Sequence, residues 1–380
     1  MSLPSLARSD RDGSSPSTVP PFQRDMSACY ACFSVFELFD LIVRAVHGEG
    51  EGKRSVANLA VASKEFYAGA TAVLWEEMDT LVPLLTLIPY GMWMQVRDDG
   101  NAPQRSQHLI HSQDWSTSRV VWYGQHIRRL VWSNDLHKQL PESQAVELLT
   151  YLPTTLKLLP NLLSFAWTEH RPAVSRLLKP KLFTNPLLQE LSLDMALTDR
   201  EPMATIFDVV RSTCPKLSRL RLTGDPSEPL DVAVSVALAD LVRTARLVEF
   251  RCTSPLFDDV LLAVAESASL QYVDIKANWY TLDDMVVSAL PSRCLPSVRD
   301  LSLQFEALDA SSLALLEKLG STSLANLGIH ITAEVYENDM LIKHLAVLTK
   351  APFTSSLRKS SSIAGAWIPR TTAADPASSI

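Results

Sequence analysis

The sequence predicts an α/β chain in two parts, a short N-terminal helical module followed by a solenoid of strand-plus-helix repeats. Three observations carry that prediction. An apolar L-x-x-L-x-L beat returns eight times. The intervals between its returns hold helical periodicity. The residues ahead of the first return read as three short amphipathic helices.

Residues 1–27 are rich in Ser, Pro, Arg and Asp and carry too little apolar surface to offset chain entropy, so a disordered tail is expected. They also lack the apolar core of a secretory signal. Residues 28–96 form the helical module. Phe33 to Val46 places Val35, Leu38, Leu41, Ile42 and Ala45 at helical spacing, with Ser34 as N-cap and Glu37 three residues on. The glycines of 48–52 break that helix. A second starts near Lys53, with Val56, Leu59, Ala60 and Ser63 on one face, and a third runs from about Phe66 to Glu77. Leu38, Leu41 and Leu74 are expected in the module's own core. Pro83 and Pro89 frame an apolar segment, Leu84 to Ile88. Residues 97–118 are polar and read as a linker or loop.

The beat occupies 119–350. It runs Ile127/Leu130/Trp132, Leu162/Phe165/Trp167, Leu188/Leu191/Leu193, Leu217/Leu220/Leu222, Leu247/Phe250/Cys252, Leu270/Val273/Ile275, Val298/Leu301/Leu303 and Leu324/Leu327/Ile329. Its closing residues recur every 23 to 35 positions, the range of an irregular leucine-rich repeat. Between them Ala145, Leu148, Leu149 and Leu152 fall at helical spacing. So do Val234, Ala237, Leu238 and Leu241, and again Phe257, Val260, Leu261 and Val264. Asp231 and Pro141 stand at helix entries, and a last helix is expected over about Asp339 to Lys350 without a polar cap beyond it. One strand and one helix cannot enclose a core; stacked repeats can. An ordinary α/β domain with parallel strands is the competing reading. The asparagine usual three residues after the last strand position stands only at Asn278, so turn hydrogen bonding should differ between repeats. Residues 351–380 carry no beat and are expected to be irregular or disordered.

Net charge is −7, which argues against nucleic acid as a partner, because phosphate neutralisation dominates such affinity. No uncharged stretch reads as membrane-spanning. The five cysteines are scattered and do not make a disulfide framework; an intracellular protein, cytoplasmic or nuclear, is the expectation. Cys29 and Cys32 form a lone C-x-x-C without a second pair, and His108 and His111 stand in a polar stretch beside Asp114. Neither makes a metal site by itself. The Gly48–Gly52 run carries Glu49 and Glu51, which repel phosphate. No catalytic residue, metal or cofactor is assigned. An enzymatic site in the strand-to-helix loops remains the alternative class.

What is left is surface. Side chains alternate along a strand, so residues between the beat positions point away from the core. Glu190 and Ser192, then Arg219 and Arg221, Glu249 and Arg251, Tyr272 and Asp274, and Asp300 and Ser302 are expected on the concave face as a protein-binding surface, with a mixed-charge patch at Arg219, Arg221, Glu249 and Arg251.

Three segments then bear on function: Ser34 to Ile42, Val56 to Phe66, and Leu74-Trp75 running to Leu85. Together they resemble the F-box, and with the repeats behind them the chain is similar to the F-box-like, leucine-rich-repeat proteins of mushroom-forming fungi. The family's usual proline is Phe36 here, and its tryptophan after the basic residue is Phe66. The resemblance implies a non-enzymatic substrate-recognition adaptor of an SCF-type ubiquitin ligase. Val35, Phe36, Leu38, Leu41, Ile42, Leu59 and Val61 would contact a Skp-type adaptor and, through it, a cullin complex. The solenoid would hold a protein target. The alternative is a non-catalytic scaffold whose module only caps the solenoid.

Overall fold

The computed structural model describes residues 35–87, 119–133, 158–168, 180, 184–195, 200–225, 230–277, 288–305, 308–331 and 338–351. They fall into two units that meet in sequence between Leu74 and Trp75. The proposed tails (all but Ala351), the 97–118 linker, the C-x-x-C, His108, His111, the helix around 145–152 and Asn278 lie outside the described residues.

Among its described residues the first unit holds three helices: α1 (Phe36–His47), α2 (Gly52–Ala62) and most of α3 (Lys64–Glu76). The turn between α1 and α2 is the glycine run, and Gly52 enters α2 so close to the carbonyls of Val46 and His47 that no Cβ fits. The expected cap differs: α1 starts from Val35, which offers no side-chain cap. Its core-facing stripe also differs. Phe39, Val43, Val56, Ala60, Ala70 and Val73 are buried together, with Val46, Leu59, Phe66 and Leu74 packed against them. Phe39 stacks on Phe66, ring centroids 5.1 Å apart. Gly69 permits that stack, since a Cβ there would stand 2.6 Å from the Phe39 ring. Leu38 and Leu41, expected inside, are exposed at 44% and 63%. The reason is helix phase. Phe39, Val43 and Val46 form one apolar stripe and Leu38, Leu41 and Ile42 another, and contact with α2 and α3 selects the first.

The second unit is one sheet of nine parallel strands in sequence order. These are β1 (Glu77–Met78), β2 (Arg129–Ser133), β3 (Ser164–Thr168), β4 (Glu190–Asp194), β5 (Arg219–Thr223), β6 (Glu249–Leu256), β7 (Tyr272–Ala277), β8 (Asp300–Phe305) and β9 (Asn326–Ile331). Parallel neighbours require a crossover. The described crossovers carry α6 (Arg200–Thr213) between β4 and β5, α7 (Val232–Thr244), α8 (Asp258–Glu266) and, between β8 and β9, α9 (Ala310–Glu317). Short helices α4 (Val82–Leu85) and α5 (Arg119–Gly124) precede β2, and α10 (Asn338–Lys350) follows β9. This is the α/β architecture expected, a stack of strand–helix units of leucine-rich-repeat type.

Register explains why the beat folds this way. Leu130, Phe165, Leu191, Leu220, Phe250, Val273, Leu301 and Leu327 stand opposite one another from strand to strand, and Trp132, Trp167, Leu193, Leu222, Cys252, Ile275, Leu303 and Ile329 form a second row. From β2 to β8 every one of these is buried; on β9, the last strand, Leu327 and Ile329 are half-buried. Behind the sheet Phe207, Val210, Leu238, Leu241, Val260 and Val264 close the core, each large side chain contributing about 1.5–3 kcal/mol. Leu81 and Leu84 join it at the β1 end.

Each unit is entered by the same backbone device. The carbonyl just before one strand accepts two N–H groups of the next: Gln189 O from Ser218 and Arg219, Ser218 O from Val248 and Glu249, Val248 O from Gln271 and Tyr272. Ahead of four strands a Pro-containing turn closes, with Leu162 donating to Leu159 O, Leu188 to Asn185 O, Leu217 to Cys214 O and Val298 to Leu295 O. Pro160, Pro186, Pro215 and Pro296 sit second in these turns, where a fixed φ suits. At the ends of β3 and β5, two positions short of where a repeat asparagine would stand, threonines bond back to the preceding strand: Thr168 Oγ1 donates to Trp132 O and Thr223 Oγ1 to Leu193 O.

Helix entries follow the sequence. Asp231 caps α7, accepting from Ala233 N at 2.9 Å, and Asp309 and Ser312 form a capping box on α9. His344 of α10 is buried. Its Nδ1 lies 2.7 Å from Met340 O, to which it donates, and its Nε2 lies 2.8 Å from Ser312 Oγ. Ser312 has no solvent exposure, so the pair joins α9 to α10 and presents no hydroxyl to a substrate. Leu341, Ile342 and Leu345 on α10 are exposed.

Candidate interaction surfaces

The polar face of the sheet is built by the residues between the core rows. In register, one row reads Glu77, Arg129, Ser164, Glu190, Arg219, Glu249, Tyr272, Asp300, Asn326, and the next reads Val131, Ala166, Ser192, Arg221, Arg251, Asp274, Ser302, Gly328. All ten expected target-facing residues therefore occupy one face.

They are not equally available. Arg219 donates to Glu190 Oε2 at 3.0 Å, where Ser164 Oγ also donates at 3.2 Å. Arg221 spans both carboxylates, with Nη1 3.0 Å from Glu190 Oε1 and Nε donating to Glu249 Oε1 at 2.9 Å. Arg251 Nε reaches the same Glu249 oxygen at 2.7 Å. Glu190 and Glu249 are thereby covered, only 8% and 7% exposed, although they point away from the core. They position the arginines and offer a partner little surface of their own. Both stand on the expected face, but with less exposure than alternation alone implies. Alternation along a strand fixes direction, while long neighbouring side chains decide exposure.

Burial raises the Glu249 pKa, but the hydrogen bond and charge of Arg221, with those of Arg251, outweigh it and hold the carboxyl below its usual range. Arg221 is correspondingly raised, first by its hydrogen bond to Glu249. Arg219 and Arg221 remain half-exposed, Arg251, Tyr272 and Asp274 exposed, and Ser192, Asp300 and Ser302 half-buried. Asn326 Nδ2 donates to Asp300 Oδ1. Among the described residues Asp274 makes no ion pair. Sequence reasoning missed Ser164 and the Glu77–Arg129 pair, 2.9 Å across β1 and β2. Ser164 and Arg129 occupy the same position ahead of the core row as Glu190, so extending the alternation two strands back finds them; Glu77 lies three strands back, ahead of the first beat.

The second surface lies on the first unit. Val35, Leu38, Leu41 and Ile42 on α1 are exposed at 43%, 44%, 63% and 38%, and Val61 on α2 at 83%. Leu59 is half-buried against the unit's core. Nothing is described for the Phe36 side chain. Of the seven residues that the resemblance assigns to adaptor contact, five are thus on the surface.

The described cysteines are closed to chemistry. Burial pushes the Cys252 thiol up to about 12 and Cys294 up to about 11, and raises Cys214. A thiolate is the reactive form. No three His, Cys, Asp or Glu side chains group as a metal site among the described residues, and no helix there is long and apolar enough to cross a membrane. Neither a family model nor a curated protein matches the sequence.

Proposed function

We propose that the chain is a non-catalytic substrate-recognition adaptor of an intracellular SCF-type ubiquitin ligase, its three-helix unit docking a Skp-type adaptor and the polar face of its sheet holding a protein target. One observation carries this reading. The α1 stripe Val35, Leu38, Leu41 and Ile42 is apolar and exposed while a parallel stripe of the same helix already fills the core. Several exposed aliphatic side chains in one stripe mark an interaction surface more than scattered ones do. The F-box resemblance supplies the occupant, and four of its seven assigned contact residues make up this stripe.

The test is co-purification of the full chain with a Skp-type adaptor and a cullin. Leu38→Asp with Leu41→Asp should abolish the association while leaving the fold intact, since neither residue is in the core. No association of the unaltered chain would sink the ligase reading and leave the scaffold alternative.

A further inference from the structure

From the charges on β6, β7 and β8 we infer that the target is held through an extended peptide segment bearing an acidic and a basic side chain two residues apart. This rests on the reading that the sheet's polar face holds the target.

The acidic side chain belongs at Arg251. Among the described residues Arg219, Arg221 and Arg251 form ion pairs with Glu190 and Glu249, three positive charges against two, so the ion-paired cluster itself keeps one positive charge. Arg251 spends only Nε on Glu249; its side chain is 50% exposed, and no bond of its two Nη groups is described. A guanidinium edge of that kind takes a carboxylate in paired hydrogen bonds. Glu249 fixes the side chain that would do so, which removes part of the ordering cost on binding.

The basic side chain belongs one strand further on. Asp274 stands opposite Arg251 in the β6–β7 register, and Asp300 stands opposite Tyr272 in the β7–β8 register. Two carboxylates and a 40% exposed tyrosine therefore share one patch, which suits an ammonium or guanidinium resting on the ring. Polyanions are disfavoured by the same pair.

Spacing fixes the segment. Strands lie ~4.8 Å apart and Asp300 stands two residues back in register from Asp274, so Arg251 and the midpoint of Asp274 and Asp300 are separated by about one and a half spacings across and one residue along, ~8 Å. Residues i and i+2 of an extended chain project to one side ~7 Å apart, a close match for side chains of this length. Adjacent residues project to opposite sides and cannot serve both patches.

The experiment uses the full chain and short fluorescent peptides with a Gly/Ser background. Their centres are Glu-x-Lys, Lys-x-Glu, Glu-x-Glu or Lys-x-Lys; both mixed orders are included because a peptide can cross the strands in either direction. In anisotropy titrations at low salt the mixed peptides should bind about tenfold tighter than either like-charged one, since each like-charge contact opposes docking. Arg251→Glu should shift the preference to Lys-x-Lys, and Asp274→Lys should shift it to Glu-x-Glu. Both positions face solvent, circular dichroism reports whether each variant is folded, and either shift alone suffices if the other variant fails to fold. Equal binding of all four peptides, binding of none, or a preference unmoved by a folded variant overturns the inference. Adaptor co-purification is read separately. Peptide preference without adaptor association overturns only the ligase reading, and association without peptide preference overturns only this one.

Discussion

Replacing Glu249 by Gln tests whether the charge network on the sheet holds the fold as well as the face. Gln keeps the shape and one acceptor oxygen but loses the charge shared by Arg221 and Arg251, at 2.9 and 2.7 Å. Each hydrogen bond keeps its charged donor but loses its charged acceptor, about 1 kcal/mol apiece. Both arginines are partly in solvent, 39% and 50% exposed, so screening reduces the sum to about 1–1.5 kcal/mol. Urea unfolding at neutral pH should show that loss. The pH dependence has a definite sign. Glu249 has its folded pKa depressed, so its contribution is complete above the unfolded value of about 4.3 and disappears as pH falls through the lower, folded value. Wild type and Glu249→Gln should therefore converge in acid. If the two unfold together at neutral pH, or their gap persists unchanged in acid, the network does not stabilise the chain.

The core and its caps give further expectations. Leu220→Ala, at a site with no exposure between Leu191 and Phe250, should cost about 2–5 kcal/mol in the same unfolding assay. Asp231→Ala removes the α7 cap at Ala233 N and should cost about 1 kcal/mol. Iodoacetamide followed by peptide mass mapping should leave Cys252 and Cys294 unmodified in the native chain and modify both in denaturant, because their thiols are buried and raised to about 12 and about 11. Rapid native labelling of either would contradict their burial.

The sheet was legible because its signal is local and repeated. A period of two with a fixed starting residue leaves one face for Leu220 and the other for Arg221, and register then propagates both rows through the stack. α7 and α8 were legible for a related reason: the sheet offers one surface to cover, so Leu238, Leu241, Val260 and Val264 had one side to face. α1 was not, because two apolar stripes lie about one residue apart on it. Choosing between Phe39/Val43/Val46 and Leu38/Leu41/Ile42 requires knowing where α2 and α3 lie, which spacing within α1 does not contain. The proline turns were legible in principle, since Pro160, Pro186, Pro215 and Pro296 each stand two residues before the first apolar residue of a beat. The exposure of Glu190 and Glu249 was not legible. It depends on arginines from neighbouring repeats, 28 and 29 positions away for Arg221–Glu249 and Arg219–Glu190, folding down over them.

That burial divides labour on the polar face. An arginine on a flat sheet loses rotamer freedom when it binds, at about 0.5–1.5 kcal/mol for each immobilised side chain. Glu190 and Glu249 hold Arg219, Arg221 and Arg251 in place beforehand, so less of that cost falls on recognition. The two glutamates can then be indispensable to binding without touching a partner. Changing Glu249 should weaken peptide capture through the arginines it fixes, whereas changing Asp274, which has no ion-pair partner among the described residues, should alter specificity with little effect on stability. The same face thus separates residues that order the surface from residues that read the ligand, and charge reversal at Asp274 set beside neutralisation at Glu249 distinguishes them.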